Sequence, residues 1–350
     1  MHIDEILAKA VELGASDIHL AIALPPMLRI NGKLVPMEGY KKLFPEDTHE
    51  LVYQMLKDYQ KKVFEERGEL DFSYGVPSLG RFRVNAYRQR GSVCAALRVI
   101  PTQVPDYKTL GLPEVIPALA QKIQGLILVT GPTGSGKSTT LASIIDLINR
   151  ERYCHILTLE DPIEYLHRHN KSIINQREIG LDSQSFASAL KASLRQDPDV
   201  ILVGEMRDIE TIGTALTAAE TGHLVLATLH TNNAVGTVDR IVDVFPPHQQ
   251  PQIRLQLATV LEAVIAQQLL PRADGKGRVA AFEILLATPA VRNLIREGKT
   301  HQIMSLIQTG GRLGMKSFEM AYKELLAKGL VTRETLASRL SDNLRIQQVT

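Results

Sequence analysis

The rhythm of hydrophobic and polar positions changes near residue 112, and that change divides the chain. Over residues 5–13 apolar positions recur at helical spacing and stop at Gly14, which predicts a short amphipathic helix. Residues 17–21, 27–30 and 33–37 read as strands, the last two joined by an Asn31-Gly32 turn. Helical periodicity covers 45–66 and opens with Pro45-Glu46-Asp47, acidic residues suited to a helix start. Residues 69–74, 80–89 and 93–100 alternate again, as in an antiparallel sheet. These elements predict an α+β domain over residues 1–100. Pro101, Pro105, Gly111 and Pro113 then interrupt any apolar period, so residues 101–112 are expected to be a linker and hinge, with a second domain over 113–350.

In the second part strands alternate with helices. Strands are predicted over 126–130, 155–160, 200–203 and 224–228, and helices over 139–149, 185–195, 209–221 and 233–242. Near-continuous apolar strands between helices indicate a parallel sheet covered on both faces. Residues 249–268 are expected to form one long helix, followed by a hairpin around Asp274-Gly275-Lys276-Gly277 and helices over 290–297, 317–327 and 333–340. The fold class expected is therefore α/β, with an N-terminal α+β domain ahead of a parallel-sheet domain that ends in helices. No internal repeat or low-complexity tract interrupts it.

Composition narrows the class further. At 350 residues and 44% hydrophobic, the chain is long enough for two domains with ordinary cores. A formal charge of +2 gives no support for direct nucleic-acid binding. Cys94 and Cys154 are far apart and flanked by apolar or β-forming residues, so buried free thiols in a reducing compartment are expected. No apolar run approaches the roughly 20 residues needed to span a bilayer. The acidic start, Met1-His2-Ile3-Asp4-Glu5, is unlike a signal peptide. A cytoplasmic protein is the expectation, with any membrane association made through partners.

The chemistry is concentrated in Gly131-Pro132-Thr133-Gly134-Ser135-Gly136-Lys137-Ser138, a match to G-x-x-x-x-G-K-[ST] between a buried strand and a helix. Backbone N–H groups and a helix N-terminus there present partial positive charge to phosphate oxygens. Residues 131–139, through Thr139, are thus a candidate nucleotide site: Lys137 would reach the β- and γ-phosphates of ATP, and the Ser138 hydroxyl would ligate Mg²⁺. A plain glycine turn leaves the lysine unexplained.

Hydrolysis also needs carboxylates, for the metal and for the attacking water. Two acidic groups follow predicted strands: Glu160-Asp161-Pro162-Ile163-Glu164, and Glu205 after Val200-Ile201-Leu202-Val203-Gly204. Glu164 is the candidate for activating water, and Glu205 for the metal and its water shell. Glu160 and Asp161 are equally well explained as a charged exit from the strand. His230 ends the strand that begins after His223; it could sense the γ-phosphate or link the site to a neighbouring subunit, whereas His223 is explained by ordinary hydrogen bonding. A run from 75 to 105 holds Arg81, Arg83, Arg88, Arg90 and Arg98 and no acidic residue, and alternation puts Arg81 and Arg83 on one face. They read either as a solvated sheet face or as arginine fingers for a nucleotide bound elsewhere; Arg195 and Arg207 are further candidates.

Taken together these blocks resemble the secretion ATPase superfamily that drives type II secretion and type IV pili. The phosphate loop, Leu157 to Tyr165 (the family's Asp box), Asp197 to Glu205 (its atypical Walker B) and Thr221 to Asn232 (its His box) occur in the family's order. Gly14-Ala15-Ser16-Asp17-Ile18-His19-Leu20 resembles its N-terminal signature, and Ala290 to Glu297 resembles a motif of the retraction branch, with Val291 where that branch has isoleucine. The assembly branch generally carries four metal-binding cysteines; this chain has two. The resemblance implies a PAS-like first domain, a RecA-like second domain, and a homo-hexamer with nucleotide between neighbours. It implies ATP hydrolysis coupled to pilus retraction and twitching motility, and an inner-membrane pilus platform protein as partner. Arg81, Arg83, Arg88 and Arg90 match the arginines that approach the nucleotide. Other classes compatible with a phosphate loop alone are a nucleotide-dependent switch or scaffold and a nucleic-acid translocase.

Overall fold

A computed structural model describes residues 1–337 apart from Asn31, Ser78 and Thr102. Contacts divide the chain into two compact units: Met1–Gln103 with Glu164–Leu166, and Val104–Ile163 with His167 onward.

The first unit contains helices α1 (Ile3–Glu12), α2 (Pro45–Met55) and α3 (Asp58–Arg67) and strands β1 (Asp17–Leu20), β2 (Met27–Ile30), β3 (Lys33–Pro36), β4 (Glu69–Val76), β5 (Gly80–Gln89) and β6 (Ser92–Ile100). The strands form one sheet in the order β3-β2-β1-β6-β5-β4, every pairing antiparallel. Helix α1 buries Ile3, Ile6, Leu7 and Ala10, the i, i+3, i+4, i+7 stripe of an amphipathic helix, with Asp4 and Glu5 at its positive end. Its core partners on the sheet include Ile18, Leu28, Phe82, Val84, Ala86 and Leu97. The single helix expected over 45–66 is two. Leu56 and Lys57 are extended, and the Gln60 amide oxygen accepts the Lys57 N–H at 2.9 Å, a side-chain cap that opens a new helix. Of the Asn31-Gly32 turn, Asn31 lies outside the described residues.

The second unit contains α4 (Ile116–Ala120), β7 (Gly125–Thr130), α5 (Lys137–Glu151), β8 (His155–Glu160), β9 (Ile173–Glu178), α6 (Phe186–Ser193), β10 (Val200–Val203) and α7 (Ile209–Glu220). Then come β11 (Leu224–Leu229), α8 (Ala234–Asp243), α9 (Gln250–Val260), β12 (Leu261–Pro271), β13 (Arg278–Leu286), α10 (Pro289–Arg296), α11 (Ile303–Thr309) and α12 (Phe318–Ala327). Seven strands run in the order β13-β12-β7-β11-β10-β8-β9, parallel except for β12 with β13. Every residue of β7, β10 and β11 is buried, because helices cover both faces. Alternate residues of β7 serve different cores: Leu126 and Leu128 on one face, Ile127 and Val129 on the other.

One expectation fails here. Residues 249–268 are not a single helix: α9 ends at Val260, and the rest enters the sheet as β12, between β7 and β13. Val260, Leu261, Ala263, Val264, Ile265 and Ala266 are all at most 4% exposed. Only Glu262 interrupts this apolar stretch, too little polar pattern to reveal its period, and a doubly covered strand and a buried helix then look alike. The expected hairpin at 274–277 is present, with Pro271 opposite Arg278. Edge strand β9 gave no apolar signal, since Asn175-Gln176-Arg177 forms half of it. In the predicted helix over 333–340, residues 333–337 are helical and 338–340 lie outside the described residues.

Candidate nucleotide site

Strand β7 leaves the sheet at Gly131, and α5 begins at Lys137, so the glycine motif occupies the turn between them. Gly131, Gly134 and Gly136 have φ of 145°, 77° and 91°, which side chains disfavour. Gly131 is also crowded: a Cβ there would lie 2.3 Å from the Gln267 carbonyl oxygen. No side chain caps the start of α5, and a helix N-terminus presents partial positive charge to an anion. Lys137 is buried, its Nζ donating to the carbonyls of Gly131 at 2.8 Å and Pro132 at 3.1 Å. Ser135 Oγ is buried without a hydrogen-bond partner among the described residues. A buried hydroxyl in a cradle of N–H groups fits phosphate oxygens. Ser138 and Thr139 are half-buried at the head of α5, while Pro132, Thr133 and Gly134 are exposed.

The neighbouring strands bring further groups to the same edge. Glu205 follows β10, and His230 follows β11, which lies between β10 and β7. Glu205 Oε1 accepts from Arg207 Nε and lies 3.1 Å from His230 Nε2, with 18% of its side chain exposed. Burial pushes the Glu205 carboxyl up, but the bond from Arg207 and the charges of His230 and Arg207 outweigh it and hold it below the usual value. Glu205 is thus a fixed anion. The turn that carries it is tied down on both sides: Gly204 N–H donates to the Leu159 carbonyl at 2.7 Å, and Thr228 Oγ1 donates to the Gly204 carbonyl at 2.5 Å. Among the described residues no group of three His, Cys, Asp or Glu could hold a metal. A Ser138 hydroxyl with the Glu205 carboxylate is nevertheless an all-oxygen donor pair of the kind Mg²⁺ takes, since it keeps waters and phosphate oxygens as its other ligands.

The remaining candidates are dispersed. Glu160 ends β8 at the same edge, accepting from Thr158 Oγ1 at 2.6 Å and Gln176 Nε2 at 3.1 Å, and is half-buried. Asp161, joined to Pro162 by a cis peptide, is exposed. Glu164 is exposed and belongs to the short segment that clusters with the first unit, where Leu166 N–H donates to the Pro101 carbonyl at 3.4 Å. On β5, Phe82, Val84 and Ala86 are buried, so Arg81 and Arg83 stand on the opposite face, as alternation predicts. Arg88 lies over the Phe64 ring, and Arg90 sits in a turn with φ of 50°. Arg195 is exposed between α6 and the start of β10, at the sheet edge opposite Lys137. His223 has ordinary hydrogen bonding, with Nδ1 2.9 Å from the Ala218 carbonyl oxygen.

Sequence reasoning missed two buried polar residues. Gln267 on β12 was lost in the mistaken helix. Glu283 on β13 is 2% exposed and accepts the Ala234 N–H at 2.8 Å, capping α8 directly after the His230 loop. A lone acidic residue inside Ala280-Ala281-Phe282-Glu283-Ile284-Leu285 was the available signal. In the motif at 290–297, Val291 and Ile295 are fully buried, and Arg292 bonds the carbonyls of Ala258, Thr259 and Ala287 as well as Glu262. That motif therefore fastens α10 to the α9–β12 junction.

A parallel sheet with a phosphate loop after one inner strand and an acidic residue after another defines a P-loop nucleoside triphosphatase. The chain belongs to the Type II/IV secretion system protein family, whose model matches residues 1–337. It is 51% identical over 339 residues to the type IV pilus retraction ATPase PilT of Pseudomonas aeruginosa, covering 95% of this chain and 96% of that one. It is 49% identical over 318 residues to a twitching motility protein of Neisseria gonorrhoeae, covering 91% and 85%. A crystal structure of the pilus retraction motor PilT with bound ADP superposes with a TM-score of 0.89 at 52% identity, covering 96% of each chain. The architecture is accordingly an N-terminal α+β domain followed by a RecA-like ATPase domain.

Proposed function

We propose that the protein is the motor ATPase of type IV pilus retraction, hydrolysing ATP to ADP and phosphate and so driving pilus disassembly and twitching motility. The observation that carries this is the near full-length similarity to the retraction ATPase, together with a phosphate loop, Glu205 and His230 on one edge of one sheet.

In this reading the loop N–H groups and Lys137 bind the β- and γ-phosphates of ATP. Ser138, and Glu205 through water, would hold Mg²⁺, which would neutralise phosphate charge when bound. Glu205 is kept anionic by Arg207 and His230, which suits it to polarise or orient water. Glu164 is the further carboxylate for the attacking water. Arg81 and Arg83, and less directly Arg195, supply positive charge to a nucleotide on a neighbouring subunit, which requires a ring; the family resemblance implies six subunits.

Residues 101–112 act as the hinge between a first domain over 1–100 and a second from 113. Nucleotide favours the closed arrangement by its differential affinity, and loss of the γ-phosphate releases it. No helix among the described residues is long and apolar enough to cross a membrane. In this reading the protein works at the cytoplasmic face of the inner membrane with the pilus platform protein as partner. The test measures phosphate release and oligomeric mass, each with and without nucleotide, and twitching after expression in a strain lacking its retraction ATPase. Steady release by a hexamer that restores twitching supports the reading. A monomer with negligible turnover makes the protein a nucleotide-dependent switch instead.

A further inference from the structure

We propose that Gln267 is a positioning residue that fixes the shape of the phosphate loop from the adjacent strand, and thereby sets nucleotide affinity. The inference rests on the reading of residues 131–139 as a nucleotide site.

Strand β12 runs parallel to β7, and Ala266 stands opposite Thr130, the last residue of β7. There β7 turns out of the sheet into the loop, while β12 continues to Pro271. Gln267 is therefore the first residue of β12 to lie beside the loop, and it meets the loop at three places. Its carbonyl oxygen fills the space a Cβ on Gly131 would take, at 2.3 Å. Its Nε2 lies 2.8 Å from where a Cβ on Gly136 would be. Its Oε1 accepts a hydrogen bond from Thr140 Oγ1 at 2.7 Å, in the first turn of α5. Gln267 and Thr140 are 3% and 1% exposed, so water does not compete for that bond.

The three contacts span the loop. One is at its first residue, one at the residue before Lys137, and one in the helix whose N-terminus faces the phosphates. Backbone N–H groups bind phosphate well only when already aimed, since a loop that samples other shapes lowers apparent affinity by its competent fraction. A side chain that holds the far end of the loop and the head of α5, with its own backbone carbonyl packed against the loop's first residue, raises that fraction without touching substrate. Glycine at 131 is thus required by the Gln267 carbonyl as well as by positive φ, and at 136 by positive φ.

The test uses the full-length protein and Mg-ADP binding by titration calorimetry, with KM, kcat and thermal midpoint measured beside it. Gln267→Leu keeps the bulk and removes both polar atoms; Thr140→Val removes the same bond from the helix side. Each is expected to raise Kd for ADP and KM for ATP about tenfold while kcat at saturation stays within about twofold, as for a loop competent about a tenth of the time. Thr140→Ser, which keeps the hydroxyl, is expected to bind like the parent, and the double variant Gln267→Leu/Thr140→Val no worse than either single one. Parental affinity in a folded Gln267→Leu or Thr140→Val variant overturns the proposal. So does a Thr140→Ser defect equal to that of Thr140→Val, or a fall in kcat that follows the loss of folded protein with KM unmoved. Should the parent itself fail to bind ADP, the nucleotide site falls, and with it this inference.

Discussion

In the seven-stranded sheet Gly131, Glu160, Glu205 and His230 all stand where a parallel strand ends, whereas in the six-stranded sheet Arg81 and Arg83 stand along the face of one antiparallel strand. Parallel strands finish on a common edge, so residues more than seventy positions apart in sequence, such as Lys137 and His230, converge without any loop having to reach. Antiparallel strands finish at alternate edges, and what they offer instead is a face: one side buries Phe82, Val84 and Ala86, the other presents charge. The first arrangement concentrates groups around one ligand. The second makes a charged surface that can serve a ligand held by another subunit.

The comparison is broken most sharply at Lys137. Lys137→Ala is expected to lower ATP hydrolysis by about 10³-fold or more, and phosphate release at the parental rate would remove the convergent edge as the site. Glu205→Gln comes next. It should keep nucleotide binding while kcat falls about 10²–10³-fold, measured by calorimetry beside steady-state kinetics; equal loss of binding would make the residue structural.

His167 sharpens the picture of how tightly the strand-end loops pack. Burial pushes its imidazole down to about 4, against an opposing pull from Asp146. The unfolded chain thus binds the proton first as pH falls below about 6.5, and stability declines from there towards pH 4 by up to about 3 kcal/mol. Chemical denaturation across that window should show a shallower slope in His167→Gln; an unchanged slope would mean the imidazole is solvated. The smallest expected effect belongs to the other sheet. Arg83 is exposed, so Arg83→Ala should change unfolding free energy by less than about 0.5 kcal/mol, while in mixed rings it impairs the neighbouring subunit's turnover. Impairment confined to its own site would end the intersubunit role.

Much of this was legible locally. The loop at 131–138 is contiguous, and its shape is a backbone geometry that its own glycines permit. Strands β7, β10 and β11 announced themselves because both faces are covered, and the face shared by Arg81 and Arg83 followed from the period of a strand. The failure at β12 has the same root: with both faces covered, Val260 to Ala266 carry a single polar residue, Glu262, too little to distinguish strand from helix. That error hid Gln267, whose significance is a contact with Thr140, 127 positions away in sequence.

By itself, then, the sequence determined the chemistry that short stretches encode: a phosphate-binding turn, an acidic residue after an apolar strand, an alternating basic strand, and membership of a family. Only the tertiary structure decided which of these meet. Strand order placed β11 between β7 and β10, bringing His230 onto Glu205. It put Arg195 at the opposite edge and inserted β12 beside the loop. Local pattern depends on bonds along the chain, but convergence depends on which strands pair, and that is settled by burying many apolar residues at once.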